Sequence, residues 1–337
     1  MPVLLSSPEP TAPVTPPTRP GPLPDITPWI REDHFPGMDG VTWTGWDGLT
    51  WDLLCRNPHD PTSGVALGRG MRGLHTPEVA AYTSDSPAID GAAYLGYQVQ
   101  PREVFMVVRV YNAAGSQDWV EHDRRFWRGM LPAYPGLRSP GRLTVTHPNG
   151  DQRWLELYPQ PKGDHEFQVD PTRRGWQSYG CYFTAFRPFW LGPKMPARTF
   201  SGVGSAGFFG GAVGGQGAPF VIGDQGVFGA ATISNPGDEP AWPVYTLHGP
   251  FSQVKIGTMD SSATIAIDVP AGASIVVDTD PMAQTIADAD GNLVMPKSLS
   301  GAPFTPVMPG VNVPLVAEMT GSGSVGVELQ PLYHRAW

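Results

Sequence analysis

The sequence predicts a mainly β protein with two β-sandwich-like domains. Within residues 228–280, short apolar runs recur at intervals of roughly ten residues between Gly- and Pro-containing turns, which is typical of an antiparallel sandwich. In residues 264–269 the large apolar side chains fall on every second position, the period of a strand with one buried face. The composition agrees, because 41 Gly and 39 Pro with only 16% charged residues favour turns and short strands over helices.

The C-terminal third contains the clearest strands. Apolar runs at residues 229–233, 243–247, 265–269 and 275–277 are separated by turn sequences at residues 235–238, 248–250 and 270–272. We therefore expect residues 227–337 to form one sandwich domain. A last strand is expected within residues 324–333, without a predicted place in either sheet.

The first half begins with an aromatic segment, residues 25–60. Asp47-Gly48 is a hairpin signal between strand-like flanks that carry Trp43, Trp46 and Trp51. These tryptophans predict anchors for a small sheet, and a sugar-stacking platform is the alternative. Residues 64–73 follow as a glycine-spaced basic loop with Arg69 and Arg72.

The remaining elements of the first half are a strand, a helix, a hairpin and a closing strand. The strand lies within residues 98–112, where β-branched and aromatic residues are dense. Ser116 is a good N-cap, and apolar residues then recur at helical spacing up to Leu131. Residues 142–158 predict a hairpin around the turn at residues 148–151, and residues 176–186 predict the closing strand.

Two segments lack the pattern of a folded domain. Residues 1–24 form a Pro-rich arm, which is either a disordered leader or an arm that is ordered only against a neighbouring subunit. Residues 201–226 form a Gly-rich linker. Residues 202–207 and 321–326 fit G-x-G-x-x-G, but Phe-Phe-Gly-Gly follows the first match and cannot start a helix, so we do not expect a nucleotide cofactor.

Composition limits the functional class. The net charge of −9 does not favour nucleic acid or an anionic membrane as a partner, and no apolar run approaches the roughly 20 residues of a membrane span. The N-terminus lacks the features of a signal peptide, which predicts synthesis and retention in a cytoplasm. Cys55 and Cys181 are expected to be buried thiols. Scarce Lys beside common Arg suggests a GC-rich genome and an actinobacterial host.

No catalytic motif is present, and we expect no enzymatic activity, no cofactor and no metal. The sequence has no G-x-S-x-G elbow, H-E-x-x-H pair or P-loop. Residues 288–292 hint at a calcium loop, but Ile286 and Lys297 stand where acids are needed, so a hairpin turn is the better interpretation.

The C-terminal block resembles the galectin-like domain of siphophage distal tail proteins. The resemblance rests on the polar turn at residues 235–238, the strand ending in Gly249-Pro250, the hairpin at residues 265–279 and the late Pro-Gly-Val-Asn at residues 309–312. The order of elements before residue 200, including Arg102-Glu103 at the start of the long strand, is similar to the belt domain of the same family.

The resemblance implies a split-barrel belt domain with one helix at residues 25–200, followed by a galectin-like jelly-roll sandwich. It also implies a homo-hexameric ring at the tail tip of a phage with a long non-contractile tail, between the tail tube protein and the tail-associated hub protein. Receptor-binding proteins would be further partners, and no nucleic acid or membrane insertion is expected. Candidate ring-interface residues are Arg102, Glu103, Arg124, Arg125 and Arg128.

Two other functions stay open. A carbohydrate-binding module would stack a sugar on Trp242 or Tyr245 beside His248. A glycosidase or another tail-associated hydrolase would need paired carboxylates, which need not be close in sequence.

Overall fold

The computed structural model describes most of the two predicted domains. The described residues are 39–54, 64–85, 90–112, 116–163, 167, 169–201, 225–227, 231–301 and 304–337. The Pro-rich arm, Cys55 and most of the Gly-rich linker lie outside these ranges. Within them, no helix has the length and apolar character that crossing a membrane would require.

The first unit is built on one curved sheet. Its strands are β1 (Gly40–Thr44), β2 (Thr50–Asp52), β3 (Val65–Leu67), β6 (Arg102–Tyr111), β7 (Gly141–Thr146), β8 (Gln152–Pro159), β9 (Trp176–Ala185) and β10 (Trp190–Leu191). A separate hairpin is formed by β4 (Val79–Asp85) and β5 (Ala92–Val99). The helices are α1 (Ser116–Gly129) and α2 (Pro171–Arg174). In the described part the sheet runs β2-β1-β7-β8-β9-β6-β3, with β10 beside β8, and it is nearly closed into a barrel.

Aromatic side chains fill the centre of this unit. Trp43, Trp51 and Trp190 are almost completely buried, as expected for anchors of a small sheet. Helix α1 starts at Ser116, which was predicted as the N-cap just before the helix, and it buries Phe126 against the sheet. Polar contacts also fix the helix; among them, Trp119 Nε1 donates to the Val110 carbonyl at 3.1 Å and the Tyr179 hydroxyl donates to Asp123 at 2.7 Å.

The second unit is a two-sheet sandwich. Its strands are β11 (Arg198–Ser201), β12 (Gln225–Val227), β13 (Thr232–Asn235), β14 (Val244–His248), β15 (Phe251–Thr258), β16 (Ser262–Val269), β17 (Ser274–Asp278), β18 (Thr285–Asp288), β19 (Ser298–Gly301), β20 (Gly310–Gly321) and β21 (Ser324–Glu328). Among these, one sheet runs β11-β21-β14-β17-β18 and the other β12-β20-β15-β16-β19, with β13 also on β20. The alternation predicted for residues 264–269 is confirmed by the burial pattern of β16.

The two units exchange their terminal strands. Strand β11, which precedes the Gly-rich linker, pairs with β21 in the second unit. The last strand, β22 (Leu332–Tyr333), returns to the first unit and pairs with β10. The strand pairing therefore does not follow the boundary predicted at residue 200. Strand β11, which begins at residue 198, pairs within the second unit, and β22 at the end of the chain pairs within the first.

Several local predictions need correction. The predicted basic loop at residues 64–73 begins as β3, and the end of the predicted linker belongs to β12. Residues 98–99 belong to β5, because Pro101 has no N–H to continue a ladder and the long strand starts at Arg102. The hairpin turn at Asp47-Gly48 is confirmed, with Gly48 at φ +78°.

Candidate interaction surfaces

The predicted ring-interface residues occupy different environments. Arg102 is only 3% exposed, whereas Glu103, Arg124 and Arg128 are exposed and Arg125 is half-buried with its guanidinium 5.9 Å from the Trp51 ring. Arg124, Arg125 and Arg128 lie on α1, whereas Arg102 and Glu103 lie on β6. The structure thus brings the three helix arginines together but keeps Arg102 inside the subunit.

Arg102 is bound by backbone carbonyl groups on three sides. Its Nε donates to Pro188 at 2.8 Å, and its two terminal nitrogens donate to Gly73 at 3.0 Å, to His75, and to His334 at 2.9 Å. Burial lowers the pKa of Arg102 to about 10, so the guanidinium stays charged at neutral pH. This corrects the expectation for Arg102, because a guanidinium with these internal partners does not present its charge to a neighbouring subunit.

The predicted sugar-stacking residues do not form one site. Tyr245 is 1% exposed and points into the sandwich core, where burial raises the pKa of its hydroxyl. Its ring is therefore not available to a sugar, which corrects that expectation. Trp242 precedes β14 and His248 ends it, so the two remaining candidates lie at opposite ends of the strand.

A cleft of about 490 Å³ lies between the two units. One wall comes from the segment after β9, including Phe186 and Phe189, and the other from Trp242, Asp278 and residues 280–283. Arg187 bridges the walls by an ion pair with Asp280, with 2.9 Å between Nη2 and Oδ2. Lys194 and Glu328 form a looser pair at 3.8 Å on the same border.

In the described part of the chain, no group of three or more His, Cys, Asp and Glu side chains is placed to hold a metal ion. Cys181 is buried in the core, and burial raises the pKa of its thiol to about 12. Asp288 is used locally, since its carboxylate accepts hydrogen bonds from the backbone N–H groups of Asp290 and Asn292 in the turn between β18 and the following residues.

The sequence reasoning missed one prominent feature, the hairpin formed by β4 and β5, which we call the 79–99 hairpin. Its strands pair with each other from Val79↔Val99 to Asp85↔Ala92, and in the described structure neither pairs with another strand. Tyr94 is 65% exposed and Leu95 is 68% exposed. The signal was present in the sequence as two short runs of Ala, Tyr and Val on either side of a Ser-Pro and Asp-Gly turn.

A second exposed apolar feature follows α1. We call residues 131–138 the 131–138 turn; it exposes Leu131, Tyr134 and Leu137. Backbone hydrogen bonds between Tyr134 and Arg138 close it, and Arg138 Nε donates to the Pro132 carbonyl at 2.8 Å. The turn is held to the first unit through Trp46, whose Nε1 donates to the Arg128 carbonyl at 2.7 Å.

The fold is similar to that of a solved phage protein. The crystal structure of the SPP1 Dit (gp 19.1) protein aligns with a TM-score of 0.55 and 13% identity, covering 87% of this chain and 98% of that one. That protein is presented as a paradigm of the hub adsorption apparatus in phages that infect Gram-positive bacteria. A chain of the phage P2 baseplate in its activated conformation with Ca also aligns, with a TM-score of 0.47, 11% identity, and 86% and 98% of the two chains covered.

No family model matches the sequence, and no curated protein matches it. The similarity to the SPP1 protein therefore concerns the fold, and it extends through both units.

Proposed function

We propose that this protein is a structural component of a phage tail tip, a distal tail protein that forms a ring, most simply of six subunits. The ring would join the tail tube to the tail-associated hub, and the second unit would carry receptor-binding proteins on its outside. The protein would act by holding its neighbours, without catalysing a reaction. An actinobacterial host remains part of the proposal on the basis of amino-acid usage alone.

The observation that carries this proposal is the shared two-unit fold with the SPP1 Dit protein over 98% of that chain. A chance likeness of a single sandwich would not reproduce both units in the same order. The surface of the first unit also suits a head-to-tail assembly, because it carries two different exposed apolar features, the 79–99 hairpin and the 131–138 turn. A ring needs two unlike surfaces that complement each other.

The mass of the assembly in solution tests the proposal. Size-exclusion chromatography with light scattering should give a discrete oligomer, and negative-stain images should show closed rings with a central opening. Labelled antibody on intact virions should mark the tail tip. A protein that remains monomeric at the highest soluble concentration and shows no ring would overturn the proposal.

A further inference from the structure

The 79–99 hairpin has an apolar face with no covering element among the described residues. Directly opposed residues of an antiparallel pair share a face, so the pairings Ala81↔Tyr97 and Thr83↔Tyr94 place both tyrosines on one side. Val79, two residues before Ala81, lies on the same side and is 54% exposed. A two-stranded hairpin alone is marginally stable in water, which favours a binding partner for this face.

The hairpin is also uniformly acidic. Residues 73–101 contain the carboxylates Glu78, Asp85 and Asp90 and neither Lys nor Arg. All three side chains are exposed. A partner for this surface should therefore combine apolar contact area with positive charge.

The region around the 131–138 turn has the opposite character. Residues 124–142 contain five arginines and no acid. Of these, Arg124 and Arg128 are exposed, and neither forms an ion pair with another residue that the structure describes. Beside them the turn exposes the apolar side chains of Leu131, Tyr134 and Leu137, so it combines a basic border with an apolar centre.

We infer that the apolar face of the 79–99 hairpin of one copy packs on the 131–138 turn of the next copy, with Asp85 and Asp90 beside Arg124 and Arg128. The inference rests on the proposed ring and names the two surfaces that would close it. Aromatic side chains at the centre and charges at the border match the anatomy of stable protein interfaces. Because the two surfaces differ, the contact is head-to-tail and each copy uses both.

A set of variants of the full chain tests the contact by light scattering and native mass spectrometry. Tyr94→Ser with Tyr97→Ser should weaken association about tenfold or more, since buried aromatic residues dominate such interfaces. Leu293→Ser with Met295→Ser is the matched control: both side chains are exposed, at 75% and 90%, but they lie in the second unit, and the oligomer should be unchanged. Circular dichroism and the thermal midpoint establish that each variant is folded.

Charge reversal makes the test specific for this pair of surfaces. Asp85→Arg with Asp90→Arg, and separately Arg124→Asp with Arg128→Asp, should each weaken assembly, and the four changes together should restore it. A mixture of the Asp85→Arg/Asp90→Arg protein with the Arg124→Asp/Arg128→Asp protein should assemble better than either protein alone. In the mixture, the hairpin and the helix that meet at each contact carry opposite charges.

The outcomes separate this inference from the proposed function. If folded hairpin variants assemble like the wild type, the inference is wrong and the ring stands on other contacts. The inference is equally wrong if the rings persist but lose binding to a tail-tube or hub protein, since the hairpin would then have a different partner. If the wild type itself is monomeric, the proposed ring fails and the inference with it.

Discussion

The guanidinium of Arg102 donates a hydrogen bond to the carbonyl of His334, with 2.9 Å between Nη2 and the oxygen. This contact fastens the C-terminal tail to the start of β6. The same side chain holds the carbonyls of Gly73 and Pro188, so three chain segments that are distant in sequence meet at one charge. Removal of that charge would leave carbonyls of all three segments without this donor.

Replacing Arg102 by Met should lower the free energy of unfolding by about 3 kcal/mol, because several buried carbonyls lose a charged donor. Arg102→Lys should recover only part of the loss, since an ammonium group cannot reproduce the planar fork. Urea denaturation followed by tryptophan fluorescence measures both. The neighbouring Glu103→Gln is the control and should change stability by less than about 0.5 kcal/mol. Equal stability of Arg102→Met and the control would contradict this account.

Gly73→Ala should be strongly destabilising. Gly73 has φ +83°, and a Cβ there would lie 1.9 Å from the carbonyl oxygen of Glu103, which belongs to a strand and cannot move freely. We expect a loss of at least about 3 kcal/mol. Gly70→Ala is a matched control, because its φ is also positive, +93°, but nothing lies within 4 Å; it should cost only about 1–2 kcal/mol of backbone strain. Similar thermal midpoints for the two variants would show that the close approach does not matter.

Two Tyr→Phe substitutions should differ in their effect on the free energy of unfolding at neutral pH. The hydroxyl of Tyr245 is buried without a hydrogen-bonding partner among the described residues, so Tyr245→Phe should be neutral or stabilising by up to about 1 kcal/mol. Tyr179→Phe should cost about 1–2 kcal/mol, because it removes the hydrogen bond to Asp123. Urea denaturation of both variants beside the wild type measures the two differences. A destabilised Tyr245→Phe protein would mean that the hydroxyl has a stabilising contact.

Alkaline pH should enlarge the advantage of Tyr245→Phe. Burial raises the pKa of Tyr245 in the folded protein above its ordinary value of about 10, so the unfolded chain loses that proton first. The stability from this group is complete below about pH 10 and falls as pH rises further, by up to about 1.4 kcal/mol per pH unit. The stability difference between Tyr245→Phe and wild type should therefore grow above about pH 10, in urea titrations at a series of pH values. A constant difference would contradict it.

The ion pair across the cleft should contribute modestly. Arg187 and Asp280 are 42% and 22% exposed, so a double-mutant cycle with Arg187→Gln and Asp280→Asn should give a coupling energy of about 0.5–1 kcal/mol that falls with salt. The pair Lys194–Glu328 is the internal control: it is longer and more exposed, and its coupling should be close to zero. Equal coupling energies for the two pairs would show that the distance and burial do not decide the effect.

Regular patterns in the sequence were sufficient to predict β13, β14, β16, β17 and β21 of the second unit, whereas β15, β18, β19 and the long β20 were not predicted. Alternation in residues 264–269 and the turn residues around them correspond to β16 and its neighbours, because a half-buried strand leaves a period of two. The helix at Ser116 was predictable from its cap residue and from apolar residues at helical spacing, and the hairpin of β7 and β8 from the turn residues between two strand-like runs. Local signals of this kind do not depend on which strands become neighbours.

The features that escaped prediction depend on contacts between distant residues. The sequence suggested that Arg102 is a surface charge. Its guanidinium is buried because segments that are distant in sequence supply the carbonyl groups of Pro188 and His334 as hydrogen-bond acceptors. The pairing of β22 with β10 could not be predicted either, since a two-residue strand has no sequence pattern that selects its partner strand. The 79–99 hairpin is a local feature and was overlooked for another reason: although its turn residues are visible in the sequence, its strands are exposed and lack the alternation of a half-buried strand.

The reciprocal placement of β11 and β22 has a mechanical consequence. In the part of the chain that the structure describes, the backbone passes between the two units after β10 and again before β22, and the pairing of β10 with β22 holds these two crossings side by side. A single linker lets a domain swivel freely, whereas a pair of adjacent backbones resists torsion and permits bending mainly about one axis. The second unit would thus keep its orientation relative to the first when a force acts on it, and both crossings would share that force.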